Sequence, residues 1–147
     1  MLNNILAGFY ERDIRKLIEE ISLFQNEDDL WKTTGAIKNS AGNLALHIIG
    51  GSNHYFGAIL ANTGYVRNRD QEFAQKGVPG KELIQQLENL IPLIKDILDN
   101  LTNAQMEAPF PINFDGAKNP VNYVLVQLLV HLNYHLGQVN YLRRTLE

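Results

Sequence analysis

Between residues 81 and 101 apolar side chains recur at three- and four-residue steps: Leu83, Leu87, Leu90, Ile94, Ile97, Leu98 and Leu101. That spacing is the period of one face of an α-helix. Three further stretches carry helical patterns. Residues 2–23 place Ile5, Phe9, Ile14, Leu17, Ile18 and Ile21 largely on one predicted face. Residues 40–61 carry Leu44, Leu46, Ile48, Phe56, Ile59 and Leu60, with Ser40 or Asn39 as the cap. The last pattern opens at Asn119-Pro120, a cap residue followed by proline at the first helical position, and runs to about residue 146. Four long helical patterns with no convincing sheet and no repeat predict an all-α, four-helix bundle. At 147 residues the chain suits one domain, residues 1–147, around one core.

Two features interrupt these patterns. Gly50 and Gly51 fall in mid-helix, where each costs up to about 1 kcal/mol against alanine. Together they predict close approach of another backbone or a ligand, or a local kink. Pro92 lacks a backbone donor and predicts a kink in the third helix. The connections are long. Residues 62–80 read as a loop with a helical turn at 70–75, and residues 102–119 carry Asp115-Gly116, a signal for a tight hairpin.

Composition narrows the chemistry. There is no cysteine, so disulfides, thiolate ligands and a cysteine nucleophile are excluded. The net charge is −3, and Lys and Arg do not cluster, which argues against nucleic acid as a partner. The apolar stretch 121–139 is broken by Asn122, Gln127, His131, Asn133, His135 and Gln138, so no membrane span is expected. No segment reads as a signal peptide, and the expected compartment is the cytoplasm.

The four histidines are His47, His54, His131 and His135. His131 and His135 form H-x-x-x-H, which on a helix stacks two rings on one face, one turn apart. Such a pair can grip one cation, with a third ligand from a facing helix. His47, in the apolar run NLALHIIGG, is the preferred third ligand. His54 is the rival: it shares the face but lies about 10 Å further along the axis. A lone histidine on an apolar face is more commonly a hydrogen-bonded core residue. Here three of four sit in apolar surroundings, where an unpaired polar ring is costly. Gln127 and Gln138 are positioned to orient a ring or bind a substrate, or are polar boundary residues. Glu107, Asp115 and Tyr134 are candidate general bases that also suit structural or solvent-facing roles.

The segment HLNYHLGQVNYLRR resembles the last-helix motif of the DinB/YfiT-like bundles, in which H-x-x-x-H is followed by Gly-Gln, as in His135-Leu136-Gly137-Gln138. NLALHIIGGSNHYFG resembles the family's second helix, whose metal histidine matches His47. RNRDQEF, residues 67–73, resembles the corresponding stretch of a DinB-like subgroup. Leu136 stands where members often carry Arg, so a role for that arginine is not carried over. The resemblance spans essentially the whole chain. It implies an up-down-down-up bundle, a zinc- or nickel-type divalent site on His47, His131 and His135, and frequent homodimers. It also implies kinship with thiol-dependent transferases, a thiol-dependent isomerase and proteins assigned as metal hydrolases. A small-molecule metalloenzyme is the first functional expectation. Because the chain has no cysteine, any thiol would be a cosubstrate. The second expectation is a non-catalytic, dimeric bundle that binds a metal or small ligand. A DNA-damage-response binding protein is suggested only by the family name, and charge argues against it.

Overall fold

Ser40 accepts the amide hydrogen of Asn43 on its side-chain oxygen and thereby caps the helix that follows. Every position from Ala41 to Gly50 is then buried. In the computed structural model, which describes Met1–Glu147, this helix is α2, Ala41–Ser52. The other α-helices are α1 (Leu2–Leu23), α3 (Arg69–Ala74), α4 (Gly80–Asn100), α5 (Asn103–Glu107) and α6 (Val121–Leu146). A 3₁₀ turn, Glu27–Trp31, follows α1, and α2 widens into a π-helix over Asn53–Leu60. There is no strand, only two isolated bridges in the connection before α6. The all-α bundle read from the periodicity is the observed architecture.

Side-chain bonds fix the helix directions. Asn3, at the start of α1, donates to the carbonyls of Leu98 and Leu101 at the end of α4, so those helices are antiparallel. Tyr10 bonds the Leu125 carbonyl, Asn133 bonds Asp13, and Asn140 bonds Glu20, so α1 and α6 run together. The starts of α2 and α4 both meet the 3₁₀ turn, through Trp31 beside Gly42 and Leu30 beside Gly80; further on, Gly57 meets Leu93. Those two helices are therefore parallel. α1 and α2 each pack on both α4 and α6, which puts α1 and α2 on opposite corners. The result is the up-down-down-up bundle. One core of 30 buried apolar residues runs through it.

Two sequence-based details are corrected. Ile5 and Phe9 are 56% and 41% exposed; the buried stripe of α1 instead runs through Leu6, Tyr10, Ile14, Leu17 and Ile21. The predicted face was rotated by about one residue at its N-terminal end. The start of α6 also lies one residue later. Pro120 is the cap and Val121 the first helical residue, while the Asn119 side chain bonds the Phe114 carbonyl instead of capping. Helix α4 continues through Pro92. Pro92 and Glu88, whose carbonyl loses its amide partner, are both exposed, so water can satisfy that carbonyl.

The two long connections carry the site's remaining walls. Asn68 caps α3, where the helical turn was expected. Asp115 and Gly116 both have positive φ, 52° and 75°, as a two-residue hairpin of the favoured twist requires. Phe114 and Ala117 exchange both backbone bonds across that turn. The α5 capping box, Thr102 with Gln105, makes a helix that the periodicity did not reveal. No helix is long and apolar enough to cross a membrane.

Candidate metal centre

His131 and His135 sit one turn apart on α6, and α2 brings His47 to face them. The Nε2 atoms of His47 and His131 are 3.2 Å apart, and those of His131 and His135 are 2.9 Å apart. One ring nitrogen from each of the three lies within 4.8 Å of the others. Two nitrogens bound to one ion at about 2.1 Å, at tetrahedral to octahedral angles, are separated by about 3.0–3.4 Å. The His47–His131 and His131–His135 separations are close to this range, and the three residues could hold one divalent ion. His54 is outside this cluster. It packs against Tyr55, and the π-helix that begins at Asn53 ends the α-helical register that His47 follows.

The outer nitrogens explain why the inner ones converge. His47 Nδ1–H donates to Glu72 Oε1 over 3.0 Å, and His135 Nδ1–H donates to Gln138 Oε1 over 2.6 Å. The Glu72 carboxylate can only accept, which sets the His47 tautomer, and the Gln138 amide presents its oxygen to His135. A neutral ring that gives its proton at Nδ1 keeps a lone pair at Nε2, so two lone pairs point toward His131. A carboxylate behind a ligand histidine is the usual support for a metal-binding ring. Gln138, which sequence left between orienting and boundary roles, orients His135.

Glu72 was not singled out from sequence, and it is central. It is buried, and Arg67 grips it twice, Nε to Oε2 at 2.9 Å and Nη2 to Oε1 at 3.0 Å. Asn43, fully buried on α2, donates to the carbonyls of Glu72 and Gln75 and so holds α3 against α2. Gly50 supplies the space: a Cβ there would stand 1.9 Å from Glu72 Oε2, and one on Gly51 would approach Arg67 at 3.4 Å. The paired glycines thus serve close approach, by side chains of the α3 segment. They were the one sequence signal that something must press on α2 at this point.

Electrostatics keep the rings neutral. Burial, followed by the nearby His135, His47, Arg67 and Arg69, pushes His131 down to about 4. His131 still opens to solvent on one side, but protein on the others strips part of its hydration. Burial also lowers His47, against the opposing pull of Glu72, and lowers His135, against its bond to Gln138. Neutral imidazole is the form that binds metal.

A cavity of about 430 Å³ opens beside His47 and His131. Tyr55, Phe56, Phe114 and Leu128 give it an apolar wall, and Gln127, Asp115 and Tyr134 also line it. Of the three candidate bases, Glu107 lies away from this cavity, on exposed α5. His54 does not line it either.

Solved structures share this architecture. A conserved protein from Enterococcus faecalis superposes with a TM-score of 0.76 at 15% identity, over 96% of this chain and 94% of that one. A DinB-like protein from Bacillus cereus ATCC 10987 gives 0.69 at 18% identity, over 94% and 90%. These likenesses establish the DinB-like fold that the histidine motif suggested. No curated protein matches the chain in sequence. Residues 4–147 match the family described as "Protein of unknown function (DUF1572)", and the chain belongs to that family.

Proposed function

We propose that His47, His131 and His135 hold one divalent ion, zinc or nickel, and that the protein is a metal-dependent enzyme acting on a small molecule. The observation that carries this reading is the convergence of three Nε2 atoms whose opposite nitrogens, in His47 and His135, are held by Glu72 and Gln138. When bound, the ion would supply Lewis acidity and lower the pKa of a water or small thiol at its open positions. The chain's own contribution is to hold the rings neutral and aimed. It also shields one side with Tyr55, Phe56, Phe114 and Leu128, and leaves the solvent side of His131 accessible. Transfer to a small thiol cosubstrate and hydrolysis both fit, because either would draw on that acidity.

A second reading is a non-catalytic dimeric bundle that binds a metal or small ligand. It is favoured by the engagement of Glu72, which is occupied by His47 and Arg67 and so is not a free base. In either reading the protein pairs as a homodimer through an exposed stripe on α1 and α6 that includes Ile5, Phe9, Val126 and Val130. The test is elemental analysis of untagged protein, followed by activity with a panel of thiols and electrophiles against a His131→Ala control. Metal with no His131-dependent turnover supports the binding protein; no metal in either sample overturns both metal readings.

A further inference from the structure

We propose that the cavity beside the histidines takes a small molecule with an acidic group and an apolar body, and that Arg69 recognises the acidic group. This deepens the reading above and depends on it only in taking the histidine face as the reacting end.

Apart from histidine, the charged residues lining the cavity are Arg67, Arg69 and Asp115. Arg67 is committed to Glu72 by two bonds. Arg69 makes no ion pair and its side chain makes no hydrogen bond. It is nevertheless placed: its guanidinium lies over the Phe73 ring, 5.5 Å from the centroid, and the same ring packs 4.8 Å from His47. One aromatic platform thus sets a free guanidinium and a candidate ligand ring at the edge of the same cavity. Asp115 is the one carboxylate lining that cavity, and it makes no ion pair with Arg69. A guanidinium presents a planar fork of donors that matches a carboxylate or another oxyanion.

The remaining wall sets the rest of the ligand. Tyr55, Phe56, Phe114 and Leu128 offer apolar surface, with Phe114 delivered by the Asp115-Gly116 hairpin and braced edge-on against Tyr55 at 5.3 Å. A volume of about 430 Å³ lies in the range of small-molecule sites. An anion with an aliphatic or aromatic body satisfies both walls together.

The probes are 3-phenylpropionate and its neutral counterpart 3-phenylpropanol, titrated by NMR into the full chain, both zinc-loaded and chelator-treated. The wild type should bind the acid about tenfold more tightly than the alcohol in both forms, the scale of one charge-assisted contact. Arg69→Gln should abolish that preference in the chelator-treated form, with zinc content and affinity for the alcohol unchanged. No preference in the chelator-treated wild type, or a preference that survives Arg69→Gln, overturns the proposal. If zinc fails to load but the Arg69-dependent preference remains, the metal reading falls and this one stands. If zinc loads and the preference is independent of Arg69, the reverse holds.

Discussion

Gly50 and Glu72 interlock: the carboxylate of Glu72 occupies the space that a side chain on residue 50 would fill, 1.9 Å from an ideal Cβ. Glu72 is buried and pinned by Arg67, so it cannot swing aside without leaving a charge unpaired. Gly50→Ala should therefore displace Glu72 and release the His47 ring. Zinc affinity should fall roughly 10–100-fold, the usual cost of losing a supporting partner. Gly51→Ala is the paired control. Its Cβ meets Arg67 only at 3.4 Å, and alanine is worth up to about 1 kcal/mol over glycine in a helix. Competition titration with a zinc dye, together with thermal melts, should find the first variant impaired and the second near wild type or better. Equal effects would show that the glycines relieve general crowding and do not serve Glu72.

The ligand set is tested by exchange of single histidines. His47→Ala, His131→Ala and His135→Ala should each strip most of the metal, whereas His54→Ala should retain it. The reason is geometric, since three ring nitrogens cluster within 4.8 Å and His54 is elsewhere, against Tyr55. Elemental analysis of the four variants prepared side by side without chelator decides the matter. Metal lost from His54→Ala but kept in His47→Ala would replace His47 by His54 in the site.

Much of this arrangement was legible in residue spacing, and what was not has a physical reason. The i, i+4 pair on α6 and the apolar flanks of His47 are local patterns, and the fold needed only to bring α2 opposite α6. Glu72 and Arg67 lie in a connection with no long-range period, and Glu72 reaches His47 across 25 positions of chain. Their spacing does not distinguish them from solvated charges; only the resemblance of RNRDQEF, residues 67–73, to a DinB-like subgroup marks the stretch, and it gives neither residue a role. The physical trace of their packing lies on the other partner, as two adjacent glycines. The exposed Ile5 and Phe9 mislead for the opposite reason. They fall close to the buried α1 positions in helical angle, and only the placement of α6 decides which side of the stripe is covered.

Acid should loosen the metal-free protein within a defined window. His47, His131 and His135 all have folded-state pKa values below the ordinary value, with burial the main cause and His131 at about 4. Between about 6.5, the unfolded value, and these lower values the unfolded chain binds more protons. Stability therefore rises with pH across that window and is lost as pH falls through it. Urea melts of chelator-treated protein should show the midpoint declining from pH 6.5 toward pH 4, and His131→Ala should decline less steeply. Zinc should shift the wild-type curve upward most at neutral pH, because protons compete for the same nitrogens. A midpoint independent of pH over that range would show that the rings are not held neutral by burial.

The last prediction concerns the pairing of two chains. Ile5 and Phe9 lie on α1 along the edge that continues to Asp13, which accepts a bond from Asn133 of α6. Val126 and Val130 lie on α6 along the edge that leads to Asn133. The two helices run in the same direction, so these edges lie side by side and make one apolar stripe, with each of the four residues 41–56% exposed. An apolar stripe rimmed by charges such as Arg12 and Lys16 is the kind of surface that associates. A second copy related by two-fold symmetry would cover it with the same stripe. Light scattering at micromolar concentration should give twice the chain mass of 16.7 kDa. Val126→Glu, which lies outside the cavity lining, should give the single-chain mass while zinc content stays unchanged. Like charges brought face to face across a two-fold axis oppose pairing without touching the histidines. A wild type that is monomeric at those concentrations, or a Val126→Glu dimer, would remove this face as the interface.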